Sequence, residues 1–379
     1  MNYFKIIGIL FFIIVLFGCK KSKQEKFSYS IDLDKQLENE IPFSDVFEDI
    51  QIIQLETNKE SLIQRVGKVQ ILNSKFYVFD QDQSALLIFD SDGNFIKKIR
   101  EIGRGPEEYS EITDFNLNKN REQIELLSPR GIIISYDLDG NFIGKQKANL
   151  NGRVVHYFTN LTDDLICFYS LFSDTKIAIY SKSQKKVVCE TLTVPSEIEQ
   201  TTLMPGCSPF FEMGGTNLFF DELDREVSLL TKGGLNRISK IDFGQYNLDV
   251  KSLQLAGDLR EKQEQLINLS SKFVITFPFY LENESFIIAS FVFKQKYTHL
   301  ILNKRTQKET VFHTFKNKIL FPFSPLNLHN DTLITIVEPS KLYHYIPEND
   351  SMLNANFQLG DINIEDNPIL VKYKMKSND

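Results

Sequence analysis

One 14-residue stretch occurs almost twice: Leu86–Ile99 reads LLIFDSDGNFIKKI, and Ile133–Gln146 reads IISYDLDGNFIGKQ, their Asp-Gly-Asn turns 47 residues apart. Asp-Gly between alternating apolar runs predicts a hairpin, because glycine accepts the positive φ of a tight turn. A spacing of roughly 40–50 residues holding several strands is the sequence mark of propeller blades.

Extending the pattern outward yields one blade at a time. Gly67–Ile99, Ile112–Lys147, Val154–Leu192, Phe210–Phe243 and Phe273–Phe315 each supply four strand-like runs, and FPFSPLNL and DTLITIVE, from Leu320, begin a sixth unit. Leu248–Leu269 instead has leucines and charges at helical spacing, which predicts a helical insertion between blades four and five. Two strand-like runs are left over, in Phe47–Thr57 and Ile369–Met375. An open ring exposes unpaired edges, so the sixth unit is expected to take Ile369–Met375 as its third strand and Ile50–Glu56 as its fourth. The expected fold is all-β, a six-bladed propeller of four-stranded antiparallel blades closed by N- and C-terminal strands. It occupies residues 45–379.

Residues 1–18 read as a signal. Lys5 precedes a 12-residue apolar run, Ile6–Phe17, and then Gly18-Cys19. That run is too short to span a bilayer comfortably and fits the hydrophobic region of a signal peptide. Leu16-Phe17-Gly18-Cys19 resembles a bacterial lipobox, with Phe17 bulkier than usual at its position; the alternative is an uncleaved anchor. Cleavage would leave lipid on Cys19, with residues 19–44 as a tether and lead-in. Cys167, Cys189 and Cys207 then remain, an odd number that argues against a disulfide framework. Net charge is −7 with both signs interspersed, so no basic stripe for nucleic acid is present.

The blade layout resembles the six-bladed propeller lipoproteins abundant in gut Bacteroidetes and, more distantly, NHL-repeat propellers. The resemblance rests on RVGKVQIL, FYVFD and LLIFDSDGNFIKKI, on IGRGPEEY before ITDFNL, and on the terminal DNPILVKYKMK. It implies the fold and an envelope location, here an outer-membrane lipoprotein. Some lipoproteins of the Bacteroidetes type carry an acidic stretch just after the lipidated cysteine as a signal for surface export. Lys20–Lys26 is basic and points to the periplasmic side.

Two glycines in Ile102–Tyr109 invite a phosphate-binding reading. Glu108 stands where a dinucleotide fingerprint needs its third glycine, Pro106 has no amide hydrogen, and a strand follows rather than a helix. The stretch is instead a crossover from blade one to blade two, expected at the channel mouth. Arg104, Glu107 and Tyr109 are binding candidates there; relatives often carry glycine in place of Glu107, and Arg104 has Glu107 and Glu108 as alternative partners. The recurrent Pro-Phe pairs are expected to pack between blades or to form an aromatic rim, which makes Phe279, Tyr280 and Phe323 candidates as well. Asp114, His156 and Glu212 fall near the inner strands of three consecutive blades and form the one candidate set for a divalent metal. Otherwise no cofactor is implied. No nucleophile elbow, Walker loop, HExxH or CxxC occurs. The expected function is a monomeric, membrane-anchored binding or scaffolding module for a glycan, a peptide or an envelope protein. A metal-assisted lyase or hydrolase acting at the channel is the alternative.

Overall fold

The computed structural model describes residues 27–194, 208–316, 325–342 and 362–376. Six sheets form from these residues, and the inner strands neighbour one another in ring order. Blades one to five are antiparallel meanders in chain order, over 66–99, 114–147, 157–193, 210–242 and 275–315. The sixth blade is built from both ends of the chain. Asn327–His329 and Thr332–Val337 are followed by Ile369–Met375, which pairs antiparallel with Phe47–Gln54.

The duplicated turns are alike atom for atom. The Asp90 carboxylate accepts the backbone N–H groups of Asp92 and Asn94 and the Asn94 side chain, each at 2.9 Å. Asp137 accepts the matching groups of Asp139 and Asn141 at 2.7–3.0 Å. Gly93 has a φ of +90°, and a Cβ there would lie 2.0 Å from the Gln54 carbonyl oxygen at the end of the sixth blade's outer strand. Glycine is therefore required twice over, for conformation and for space.

The core is divided into seams. Six apolar clusters lie between successive blades, one for each pair around the ring, including that between blades six and one. Phenylalanine does much of the filling, and Phe115, Phe158, Phe219 and Phe291 are fully buried. A blade is thus apolar on both faces, and only a closed ring covers all of them.

Residues 27–41 do more than lead in. Phe27–Ser30 adds a parallel fifth strand to the outer edge of blade four, and Leu37–Ile41 does the same for blade five. Between them Asp32 caps a single helical turn, Leu33–Gln36. These strands cover two outer edges that would otherwise present unpaired amides. Between blades four and five stands the expected insertion. Its helix, Leu259–Leu269, starts on a capping box in which Asp258 and Glu261 exchange bonds with each other's backbone N–H.

Closure through the termini makes a specific prediction. Truncation after Asn367 should abolish the native ring as a whole, because it uncovers the faces of blades six and one together. Circular dichroism and hydrogen exchange on the truncated chain should show loss of protection in every blade. Native protection retained in blades two to four would refute it.

Candidate functional site

Polar side chains around the axis join each blade to the next. The Lys68 ammonium, on the inner strand of blade one, donates to Asp114 at 2.8 Å and to Asn116 at 2.9 Å on that of blade two. Asp114 also accepts the Phe158 backbone N–H of blade three at 3.1 Å. Thr159 donates to Asn217 at 2.9 Å, and the Gly214 amide to Glu284 at 2.8 Å. Asn283 donates to the Asn330 carbonyl at 2.7 Å, and Asn327 to the Val69 carbonyl at 3.0 Å. The circuit closes. The channel inside it, about 430 Å³, is polar, lined by Lys68, Lys119, Glu212, Glu284 and His329 among others.

The three metal candidates go to three different places. Asp114 is buried and committed to the circuit, and its pKa is raised by burial against the lowering pull of Lys68. Glu212 is an exposed partner of Lys119 at 3.1 Å. His156 accepts the Leu171 backbone N–H through Nδ1 at 3.1 Å and meets the Phe172 ring edge-on, in a separate groove on blade three. Among the described residues no three His, Cys, Asp or Glu side chains gather where a metal ion could be held. The expected metal set is corrected accordingly: position near an inner strand was not enough to aim these groups at one point.

The aromatic rim is corrected too. Phe279 and Tyr280 lie on opposite faces of their strand, as a period of two requires. Both are buried: Phe279 lies in the seam towards blade six and Tyr280 in that towards blade four. Tyr280 stacks flat on Phe220, ring centroids 3.8 Å apart. Phe323, like Cys19 and Cys207, lies outside the described residues.

The Ile102–Tyr109 crossover lies over the seam between blades one and two, away from the axis. Tyr109 is buried; its hydroxyl donates to the Ser84 carbonyl at 3.0 Å, and burial pushes its pKa up to about 12. Glu108 closes the loop by accepting the Gly105 N–H at 2.6 Å, and Lys145 of blade two's outer strand donates to the Glu108 carbonyl. Arg104 and Glu107 are exposed, and among the described residues their side chains pair neither with each other nor with another group.

A different site takes shape under the insertion. An apolar pocket of about 70 Å³ lies between blades three, four and five. Its walls include Tyr169, Phe219, Phe277 and Tyr280, and Leu253 and Leu266 of the insertion close over it. The inner strand of blade five is distorted here: pairing jumps from Ile275 to Phe279, and Thr276 carries a φ of +40°. A β-branched residue at positive φ is strained. Into this apolar space the turn of blade four brings Asp221 and Glu222, with Lys176 of blade three and Arg225 nearby. Arg225 donates to the carbonyls of Leu223, at 3.0 Å, and Leu248, tying the turn to the insertion. The Phe277 backbone N–H faces the Glu222 carboxylate, but Oε2 is buried and has no hydrogen-bond partner among the described residues. Burial first, and Asp221 second, raises the Glu222 pKa to about 8, while burial raises Asp221 to about 6. Sequence reasoning missed this pocket. The run Asp221-Glu222-Leu223-Asp224-Arg225-Glu226 looks like a solvated turn until the insertion covers it.

Fold and site together define a six-bladed β-propeller with a polar, cross-linked axis and an acid-lined apolar pocket beneath an insertion. The chain belongs to the family described as Domain of unknown function (DUF4934), which matches residues 28–374. No curated protein matches the sequence. Among solved structures, a Bacteroides fragilis protein assigned as exported superposes with a TM-score of 0.72 at 14% identity, over 92% of this chain and 100% of its own. A Bacteroides vulgatus member of the DUF4221 family gives a TM-score of 0.48 at 13% identity, over 87% and 97% of the two chains. The virginiamycin B lyase of Staphylococcus aureus gives 0.40 at 11%, over 75% and 80%. The first likeness shows the fold; the other two are too distant to carry an argument.

Two measurements test these assignments. Asp114→Ala strands the Lys68 ammonium in a buried circuit and should cost on the order of 3 kcal/mol. Lys119→Ala breaks only an exposed pair and should cost less than about 1 kcal/mol. Equal costs in urea unfolding would remove Asp114 from its structural role.

Glu222 gives a pH signature. Its raised pKa means that the fold favours the protonated form, so its contribution is full below the ordinary value of 4.5 and is lost as pH climbs through about 8. Asp221 acts in the same direction up to about pH 6, with Lys176 opposing on Glu222. The wild-type melting temperature should fall more between pH 6.5 and 9 than that of Glu222→Gln, and parallel curves would count against the buried carboxyl.

Proposed function

We propose that this protein is a lipid-anchored binding module of the bacterial envelope. Lipid on Cys19 holds it at the outer membrane, the basic tether after it favours the periplasmic face, and the propeller holds its ligand site rigid. The likeness to an exported Bacteroides fragilis propeller supports the envelope setting.

One observation carries binding rather than catalysis. The buried acids at the axis are spent on holding blades together, whereas the insertion-covered pocket is apolar with a few convergent polar groups, the usual make-up of a ligand site. The exposed Arg104 and Glu107 on the crossover between blades one and two, and separately the polar channel, offer further surfaces on which a glycan, peptide or envelope protein can be scaffolded.

Anchoring and binding are tested separately. Expressed with its own N-terminus, the wild type should fractionate with membranes and Cys19→Ala should appear in the soluble fraction; unchanged retention of the variant would overturn the anchor. Leu253→Trp should fill the pocket and abolish the thermal shifts that small apolar probes give with the wild type. Shifts that survive the substitution would move the ligand site elsewhere.

A further inference from the structure

His156 takes no part in the axial circuit or in the pocket beneath the insertion. It stands in a groove of about 570 Å³, a size usual for ligand sites. The crossover from blade two to blade three, the hairpin carrying Phe172 and the outer strand of blade three form its walls. Two large apolar side chains lie open in it, Phe172 at 60% exposure and Val154 at 49%. Such side chains are ordinary when scattered singly, but two in one concave site with polar groups beside them point to something that covers them.

The polar groups are specific. His156 Nδ1 accepts the Leu171 amide at 3.1 Å, so Nε2 carries the hydrogen of a neutral ring. Burial first, and Lys176 second, hold the His156 pKa below its ordinary value, which keeps the ring neutral at pH 7. Arg153 gives Nη2 to Glu190 Oε1 at 2.6 Å, and its Nη1 is buried without a partner among the described residues. Arg153 and Glu190 are the charged groups of the lining, so the groove carries no net charge. His156 Nε2 and Glu190 Oε2 make no hydrogen bond among the described residues.

A charge-balanced lining favours an uncharged occupant, and these two groups ask it for one acceptor and one donor. Hydroxyl groups supply both. An apolar ring face beside the hydroxyls can lie on Phe172, whose negative π-face attracts the weakly positive C–H groups of a pyranose. An extended peptide fits less well. The amides of Arg153, Val155 and His156 are already bonded to the carbonyls of Leu150, Pro129 and Tyr169, so no row of free N–H groups is offered to an added strand.

We infer that this groove on blade three binds a neutral sugar, with a pyranose face on Phe172 and hydroxyls on His156 Nε2 and Glu190 Oε2. The groove is separate from the pocket beneath the insertion, and either site can stand without the other.

A glycan array bearing neutral and uronic-acid oligosaccharides, probed with the full-length mature protein, is the test. Neutral glycans should bind, and the best of them should lose about tenfold in affinity with Phe172→Ala, whose exposed position spares the fold. Glu190→Gln keeps an acceptor but leaves Arg153 unbalanced, and should move the preference to the uronic-acid glycans. Leu253→Trp, which fills the pocket beneath the insertion, should leave glycan binding unchanged. Melting curves establish that each variant is folded. No glycan binding, binding confined to acidic glycans, neutral binding that survives Phe172→Ala, or an unchanged preference in Glu190→Gln overturns the inference. Loss with Leu253→Trp and not with Phe172→Ala also overturns it, by assigning the glycan to the pocket beneath the insertion. Binding of acetyl-Ala-Phe-Ala amide in place of any glycan, lost in Phe172→Ala, overturns it by assigning the groove to a peptide.

Discussion

Closure of the ring is the constraint on which everything else depends. Each blade is apolar on both faces, so no blade is stable with a missing neighbour, and each seam between blades holds its own cluster of buried side chains. Apolar packing between twisted sheets is tolerant of sliding. The polar circuit at the inner strands is not, because each donor must meet a particular acceptor on the next blade. Lys68, Asp114 and Asn116 fix one seam, Thr159 and Asn217 another, and Asn327 completes the turn by reaching the Val69 carbonyl. Joining the chain ends in blade six ties the same constraint to the backbone, since Ile369–Met375 and Phe47–Gln54 lie side by side. The parallel strands from residues 27–41 continue the belt around the outside of blades four and five.

This arrangement explains why the ligand site proposed above lies off the axis. Propeller axes are natural places for ligands, yet here much of the polar chemistry around the axis is already paired. What remains free of that duty lies where the repeat is broken. The insertion after blade four separates two seams, blade five opens its strand pairing between Ile275 and Phe279, and a cavity appears between them.

Much of the fold was legible because its signals are local. The Asp-x-Asp-Gly-Asn turns announce themselves in sequence, and the two orphan strands found each other by simple accounting of unpaired edges. The insertion was visible through helical spacing. The candidate site was not legible, and the reasons are specific. Asp114 has the same sequence signature whether it binds a metal or a lysine, and the partner, Lys68, is 46 residues away on another blade. His156 turns its Nδ1 to a backbone amide of its own blade. Tyr109 looked like a rim residue because its loop was expected at the mouth, whereas its hydroxyl is satisfied inside a seam by Ser84. The pocket draws on three blades and the insertion, so no window of sequence contains it. Only the misfit of Asp221 and Glu222 with an otherwise apolar neighbourhood marks it, and that neighbourhood exists only after folding.

The cover of the pocket also differs in kind from the ring beneath it. Within the helix Leu259–Leu269 the buried residue is Leu266, while Leu259 and Ile267 are exposed. The capping box stabilises the helix locally, without help from the propeller. The insertion is joined to the blades by bonds such as Arg225 to the Leu248 carbonyl and the Val274 amide to the Tyr246 carbonyl at 2.8 Å, and by an apolar cluster in which Leu248, Val250 and Leu266 pack with Val194 and Ile275. The ring and this cluster together hold Glu222 and the pocket walls in place. A site of this kind combines a preorganised acid with a packed apolar cover, and the cost of keeping that acid buried is borne by a ring whose closure does not depend on it.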